Sequence, residues 1–178
     1  MLLLKYTLPL VLLLAATSAS SQTTTNKAAT EVVTVCEVLG NRGAYDGKTV
    51  ALIGRWSATE EGFWLADDCF SPVKTGEYVW RNIIFLAYDP SSPSLFSTGP
   101  KLDGAAVSAK IDELKARSKK TADKLEWAVV YGRIETKEEI PTVDDGKPRP
   151  AGYGHLNGAP AQIVYREKDL VLLPCDPR

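Results

Sequence analysis

Apolar positions recur along this chain with two different periods, and the changes of period mark its elements. Thr34 and Glu37 fit a Thr-x-x-Glu capping box, with Val35, Val38 and Leu39 on the apolar side, so a short helix is predicted over 34–39. Residues 40–48 break it, and Asp46-Gly47 supplies a tight turn. Over 49–56, Val50, Leu52 and Trp56 alternate with Thr49, Ala51, Ile53 and Arg55, which predicts a strand. Gly54 inside it predicts a bend or bulge. After a polar turn at 57–61, a second strand over 62–66 carries Phe63, Trp64 and Leu65 and closes at Asp67-Asp68-Cys69, completing a hairpin. Residues 82–88, with Ile83, Ile84, Phe85, Leu86 and Ala87, are apolar on both faces and read as a buried central strand.

Residues 89–100 are rich in Pro and Ser and read as loop. The period then lengthens over 104–117, where Val107, Ile111 and Leu114 share one helical face. Lys110, Asp112, Glu113, Lys115 and Arg117 fill the other face, and with Lys119, Lys120 and Lys124 they predict a solvated surface. A fourth strand over 127–135 sets Trp127, Val129 and Tyr131 against Ala128, Val130, Gly132 and Ile134. A long loop over 136–160 holds Pro141, Pro148, Pro150 and Pro160, and a final strand, 161–165 with 170–173, is interrupted at 166–169.

This order predicts a mainly β protein with one or two helices: a five-stranded OB-fold-like barrel, β-β-β-α-β-β, preceded by a short helix. Gly54 and Gly132 are the small inward residues that strands forced to curl require. A generic α+β sandwich has the same order and is the alternative.

The residues also carry a resemblance. Val35-Cys36-Glu37-Val38-Leu39, Tyr45-Asp46-Gly47-Lys48-Thr49-Val50, Gly54-Arg55, Leu65 and Cys69 resemble a pattern shared by a group of small exported bacterial proteins of unknown function. Gly152-Tyr153-Gly154-His155-Leu156 with Pro160-Ala161-Gln162 is similar to their second block. The resemblance implies an OB-like domain and brings no catalytic residue with it.

The N-terminus sets the expected address. Lys5, an apolar run over 8–16 and small residues over 16–21 read as a signal peptide, residues 1–20, with cleavage after Ala19 or Ser20. The run is too short to span a bilayer, and the alternative is an uncleaved anchor. No cysteine lies near the cleavage region, so a soluble exported product without a lipid anchor is expected, periplasmic or secreted. Residues 21–31 read as a flexible tether and 32–178 as a single OB-like domain. The chain has 21 basic and 22 acidic side chains, and removing Lys5 with the leader leaves 20 against 22. That balance lacks the basic excess of a nucleic-acid binder, so nucleic acid is not an expected partner.

Three cysteines, Cys36, Cys69 and Cys175, without a CxxC spacing, and a single histidine support no metal centre and no cofactor. The barrel order selects a disulfide. The helix holding Cys36 leads into the barrel end where the second strand delivers Cys69. The last strand, parallel to the third, carries Cys175 to the other end. Cys36–Cys69 is therefore the expected bridge, worth about 3 kcal/mol for a loop of this length. Cys69–Cys175, with Cys36 a buried thiol, is the rival.

OB barrels bind oligonucleotides or oligosaccharides by stacking on aromatic residues. Trp56 and Trp64 are expected to fill the core or brace the hairpin. Trp80, preceded by Tyr78 in a loop, is the candidate for an exposed ring. His155, the only histidine, has Tyr153 and Asn157 close by in a glycine-rich approach to the last strand. Tyr78, Trp80, Tyr153, His155 and Asn157 are thus the candidate ligand-binding residues. No catalytic residue is assigned, because neither an acid nor a nucleophile pairs visibly with His155. Asp144-Asp145-Gly146 lacks the spacing of a calcium loop, and Asp67-Asp68 reads as a polar pair ending a strand. The expected function is a non-enzymatic binding or interaction module with an oligosaccharide, a peptide or an envelope protein as partner. The alternatives are a hydrolase-type enzyme using His155 and a structural protein of cell-envelope assembly.

Overall fold

A computed structural model describes residues 30–91, 103–118, 126–137 and 151–173. In chain order the elements are β1 (Val32–Thr34), α1 (Val35–Gly40), α2 (Arg42–Tyr45), β2 (Thr49–Thr59), β3 (Gly62–Ala66), β4 (Lys74–Thr75), β5 (Tyr78–Val79), β6 (Ile83–Tyr88), α3 (Gly104–Arg117), β7 (Trp127–Thr136), β8 (Ala161–Tyr165) and β9 (Leu170–Leu173).

The long strand β2 makes the barrel possible, because its two halves pair with different neighbours. Its first half runs antiparallel to β7, from Thr49↔Arg133 to Arg55↔Trp127. Its second half pairs with β3, from Arg55↔Ala66 to Thr59↔Gly62. β3 pairs with β6, β6 runs parallel to β8, and β8 returns antiparallel to β7. The circuit β2-β3-β6-β8-β7 closes on itself, so the five-stranded OB-type barrel stands and the open sandwich does not. β1 adds parallel to β2, and β9 pairs with the early residues of β7.

Alternation fills the interior: Val50, Leu52, Leu65, Ile84, Leu86, Val130, Ile134 and Ile163 are buried in one cluster. Each contributes about 1.5–3 kcal/mol over an exposed position. α1 presses Val35, Val38 and Leu39 into the same cluster. Its capping box forms in both directions, with Glu37 N–H donating to Thr34 Oγ1 (3.2 Å) and Thr34 N–H to Glu37 Oε2 (2.7 Å). Gly54 makes room for this arrangement, since a Cβ there would lie 2.9 Å from both Leu65 Cβ and Val35 Cγ2.

The outer face departs from the sequence expectation in two places. Ala51, Ile53, Val129 and Tyr131, on the face opposite the barrel interior, are buried with Trp127 beneath Val107 and Leu114 of α3. The alternation in β2 and β7 therefore separates two cores rather than a core from water. The polar side of α3 is correspondingly less solvated than predicted. Lys110 binds the Glu37 carboxylate of α1, and Arg117 Nη2 reaches Asp67 Oδ2 at 2.8 Å. Lys119, Lys120 and Lys124 lie outside the described residues.

Among the described residues there are three α-helices where one or two were expected. The extra one is α2, a single turn in the stretch read as a break, stopped at Asp46 before the Gly47 turn (φ +74°). Among the described residues, no helix is long and apolar enough to cross a membrane. The expected bridge is present: Cys36 is bonded to Cys69, which ties α1 to the segment after β3 and excludes the Cys69–Cys175 pairing. Cys175 itself, like residues 144–146, lies outside the described residues.

Glu37 joins two helices and gives stability a pH signature. Burial raises its pKa, but hydrogen bonds from Lys110 and Thr34 and the Lys110 charge outweigh that, and the carboxyl sits below its ordinary 4.5. A lowered acid binds fewer protons folded than unfolded. Its stabilisation is therefore present above about pH 4.5 and is lost as pH falls through the folded value. Glu37→Gln is expected to be less stable than the parent at pH 7, with the gap shrinking below pH 4.5, as read by urea unfolding at both pH values. A gap independent of pH would contradict this role.

Candidate functional site

The barrel leaves the outer face of β3 and β6 uncovered by α3. Ser57 pairs with Trp64 and Trp64 with Phe85, so these side chains share that outer face, and Ala66 and Ile83 follow on the next rung. A groove of about 410 Å³ runs over them. Trp64, Tyr78, Arg81, Glu61, His155 and Leu156 form its walls. Glu61 comes from the β2–β3 turn, Tyr78 from the β4–β5 hairpin, and His155 and Leu156 from the approach to β8. The sequence reading of 82–88 as buried on both faces is corrected here: Ile84 and Leu86 point into the barrel, while Ile83 and Phe85 are only half-buried.

Each wall is set by its local structure. Trp64 meets Phe85 edge to face at 6.0 Å, which fixes its ring. Tyr78 packs edge-on against Trp80 at 4.8 Å. The 152–159 loop is a closed unit: Tyr153 bridges Ala159, Gly152 N–H donates to Asn157 O (3.0 Å), and Asn157 N–H donates to Gly154 O (3.0 Å). Gly154 (φ +73°) lies flat on Phe85, where a Cβ would come within 2.6 Å of the ring. Leu156 and Asn157 follow at φ +55° and +52°. A leucine in the left-handed region costs about 1–2 kcal/mol and persists only where its surroundings impose it. The loop imposes it here and leaves Leu156 78% exposed beside the groove. His155 Nε2 lies 3.3 Å from Glu61 Oε1, linking the loop to the hairpin turn.

The groove continues past Arg81, Ala66 and Ile83 into a second compartment of about 410 Å³ lined by Arg55, Asp67 and Asp68. Arg55 Nη2 binds Asp68 Oδ1 at 2.8 Å. Burial pushes the Asp67 carboxyl above its ordinary range, against the Arg117 charge and the Asp68 and Cys36 N–H groups that favour its anion. Asp67-Asp68 is the expected polar pair following its strand, and each acid is bound by a different arginine. Asp67 also approaches Cys36 and Cys69, but the two sulfurs are bonded to each other and do not form a thiolate metal site. A larger hollow of about 610 Å³ beside this disulfide contains no acid and only one aromatic ring, Phe70, so it offers less recognition chemistry.

Of the five candidate ligand residues, the groove brings together Tyr78 and His155. Trp80 is corrected: it is 3% exposed, belongs to the barrel core, and donates its indole N–H to Thr75 Oγ1 at 2.8 Å. The short β4–β5 hairpin folds it inward, which a loop reading of that segment does not anticipate. Tyr153 lies to one side, with Lys137 Nζ 4.7 Å above its ring. Burial, together with the charges of Glu135 and Asp46, raises its hydroxyl pKa. Asn157 is exposed and pins the loop through its backbone. Trp56 stacks on Phe63 at 5.2 Å and braces the hairpin, as expected. Glu61, Trp64, Arg81 and Leu156 are not among the candidates, and Trp64, expected in the core or bracing the hairpin, is corrected: it is half-buried and lines the groove. An isolated Glu, Arg or Leu in a loop carries no sequence signal for a groove. A comparison with known proteins finds no significant match among family models, curated proteins or solved structures.

Proposed function

We propose that this chain is an exported, non-enzymatic binding module whose outer β3–β6 face holds an extended ligand. The observation that carries the reading is the continuous groove running from His155 and Glu61, over Trp64 and Ile83, to Arg55 and Asp68. In OB-type barrels this face, between the first hairpin turn and the loop before the last strand, is where oligomeric ligands lie. That is an argument by fold, and the site's own chemistry supports it. Two aromatic rings, a fixed loop and alternating charged groups suit a chain of rings more than one small molecule. An oligosaccharide fits best: the floor strands are paired on both sides, so a peptide finds no open edge to extend. The leader pattern and the Cys36–Cys69 bridge are consistent with work in an oxidising compartment.

A hydrolase is the second reading, favoured by one contact, the loop acid Glu61 beside His155. One experiment addresses both readings. The protein is titrated with oligosaccharides of increasing length, following tryptophan fluorescence, and the sugars are recovered afterwards. Binding is expected to strengthen with length, Trp64→Ala to weaken it roughly tenfold or more, and the sugars to return intact. Unchanged binding by Trp64→Ala would remove the groove reading, and cleaved sugars would favour the hydrolase.

A further inference from the structure

We infer that Arg81 is a specificity-determining residue that makes the groove select an acidic oligosaccharide, one bearing ring carboxylates such as a uronic-acid polymer. The inference rests on the binding reading above and goes beyond it by naming the ligand's charge. Along the groove, the acids already have partners. Glu61 faces His155 at 3.3 Å, Asp68 faces Arg55 at 2.8 Å, and Asp67 faces Arg117 at 2.8 Å. Arg81 alone has no side-chain hydrogen bond or ion pair among the described residues, whereas the side chain of every other described arginine donates to a carbonyl or a carboxylate. It is exposed and lines both compartments, so it marks the midpoint of the whole groove.

An uncommitted guanidinium in such a place presents a planar fork matched to a carboxylate or a phosphate ester. A nucleic acid is disfavoured, because the chain, with 21 basic against 22 acidic side chains, lacks the basic excess that phosphate binding needs, which leaves the carboxylate. A sugar acid places its single carboxylate at the edge of a ring, so the ring can stack on Trp64 or Tyr78 while the carboxylate meets Arg81. Arg81 breaks no ion pair or hydrogen bond among the described residues when it binds an anion.

The test uses the purified protein with oligogalacturonates, the same oligomers methyl-esterified, and a glutamate hexapeptide, all by calorimetry at low salt. The acid sugar is expected to bind at least roughly tenfold tighter than its ester, a preference that weakens with added salt. Arg81→Gln should bring the ratio of acid to ester affinity down to about one, and Arg81→Lys should restore part of the preference. Equal binding of acid and ester by the parent, or a preference that survives Arg81→Gln, overturns the inference and leaves the groove reading intact. Arg81-dependent binding of the peptide in place of the sugar overturns the carbohydrate assignment. Binding of none of the three overturns both.

Discussion

Replacing Cys69 with serine is expected to lower the melting temperature by roughly 10 °C, the consequence of losing about 3 kcal/mol in a domain of this size. The bridge spans 33 residues and ties α1 covalently to the long excursion from β3 to β6. That excursion carries the β4–β5 hairpin, Trp80 in the core and Tyr78 and Arg81 in the groove. In the oxidised parent, the unfolded chain is already constrained across this loop. Without the bond, folding must order the loop at full entropic cost. Reduction of the parent should have the same effect as Cys69→Ser, and adding reductant to the variant should change nothing further. Thermal melts followed by circular dichroism, with and without reductant, check this. Identical melting of parent and variant would contradict it.

Gly132→Ala is expected to cost about 2–3 kcal/mol, the scale of overpacking in a tight core, although it adds a single methyl group. Gly132 sits on β7 where that strand passes from β2 to β8. A Cβ there would lie 2.4 Å from the Val164 carbonyl oxygen and 2.6 Å from Ile163 Cγ1. The first neighbour is backbone, so the clash is relieved only by moving β8 away, which opens the barrel at its closing seam. Gly104→Ala is the matched control. It stands in the first turn of α3 with nothing within 4 Å of its Cβ, and it should stabilise slightly by reducing unfolded-chain entropy. Chemical denaturation of both variants tests the pair, and equal effects would show that the seam is looser than described.

The parts of the fold that sequence reading reached are those with enough length to show a period. α3 has both the 4–3 spacing of Val107, Ile111 and Leu114 and a capping aspartate, Asp103, and its bounds match the prediction. β3 matches for a similar reason, because glycine and an acidic pair punctuate it. β1, β4 and β5 have two or three residues each, too few to display alternation, and they form because β2 and Trp80 offer them partners. The same shortness hid the site. The inward turn of Trp80 depends on a two-residue hairpin, and Arg81 reaches the groove only because that hairpin positions it. His155 stands out in the sequence for its chemistry, and it lies in a glycine-rich approach to the last strand. The apposition of that loop to Glu61 is a product of barrel closure, since 94 residues separate the two along the chain. The double burial of β2 is not legible in the sequence, because Ala51 and Ile53 read as the weaker face of an alternating strand, whereas α3 covers them.

The central claim is that ligand occupies the outer β3–β6 groove of a closed barrel. Backbone amide NMR during titration with oligogalacturonate tests it most directly. The account predicts shifts concentrated at Glu61, Trp64, Tyr78, Arg81, Ile83 and 154–158, with the buried strands and the 36–43 segment unmoved. Shifts centred on Phe70 and the hollow beside the disulfide, or none at saturating ligand, would contradict it.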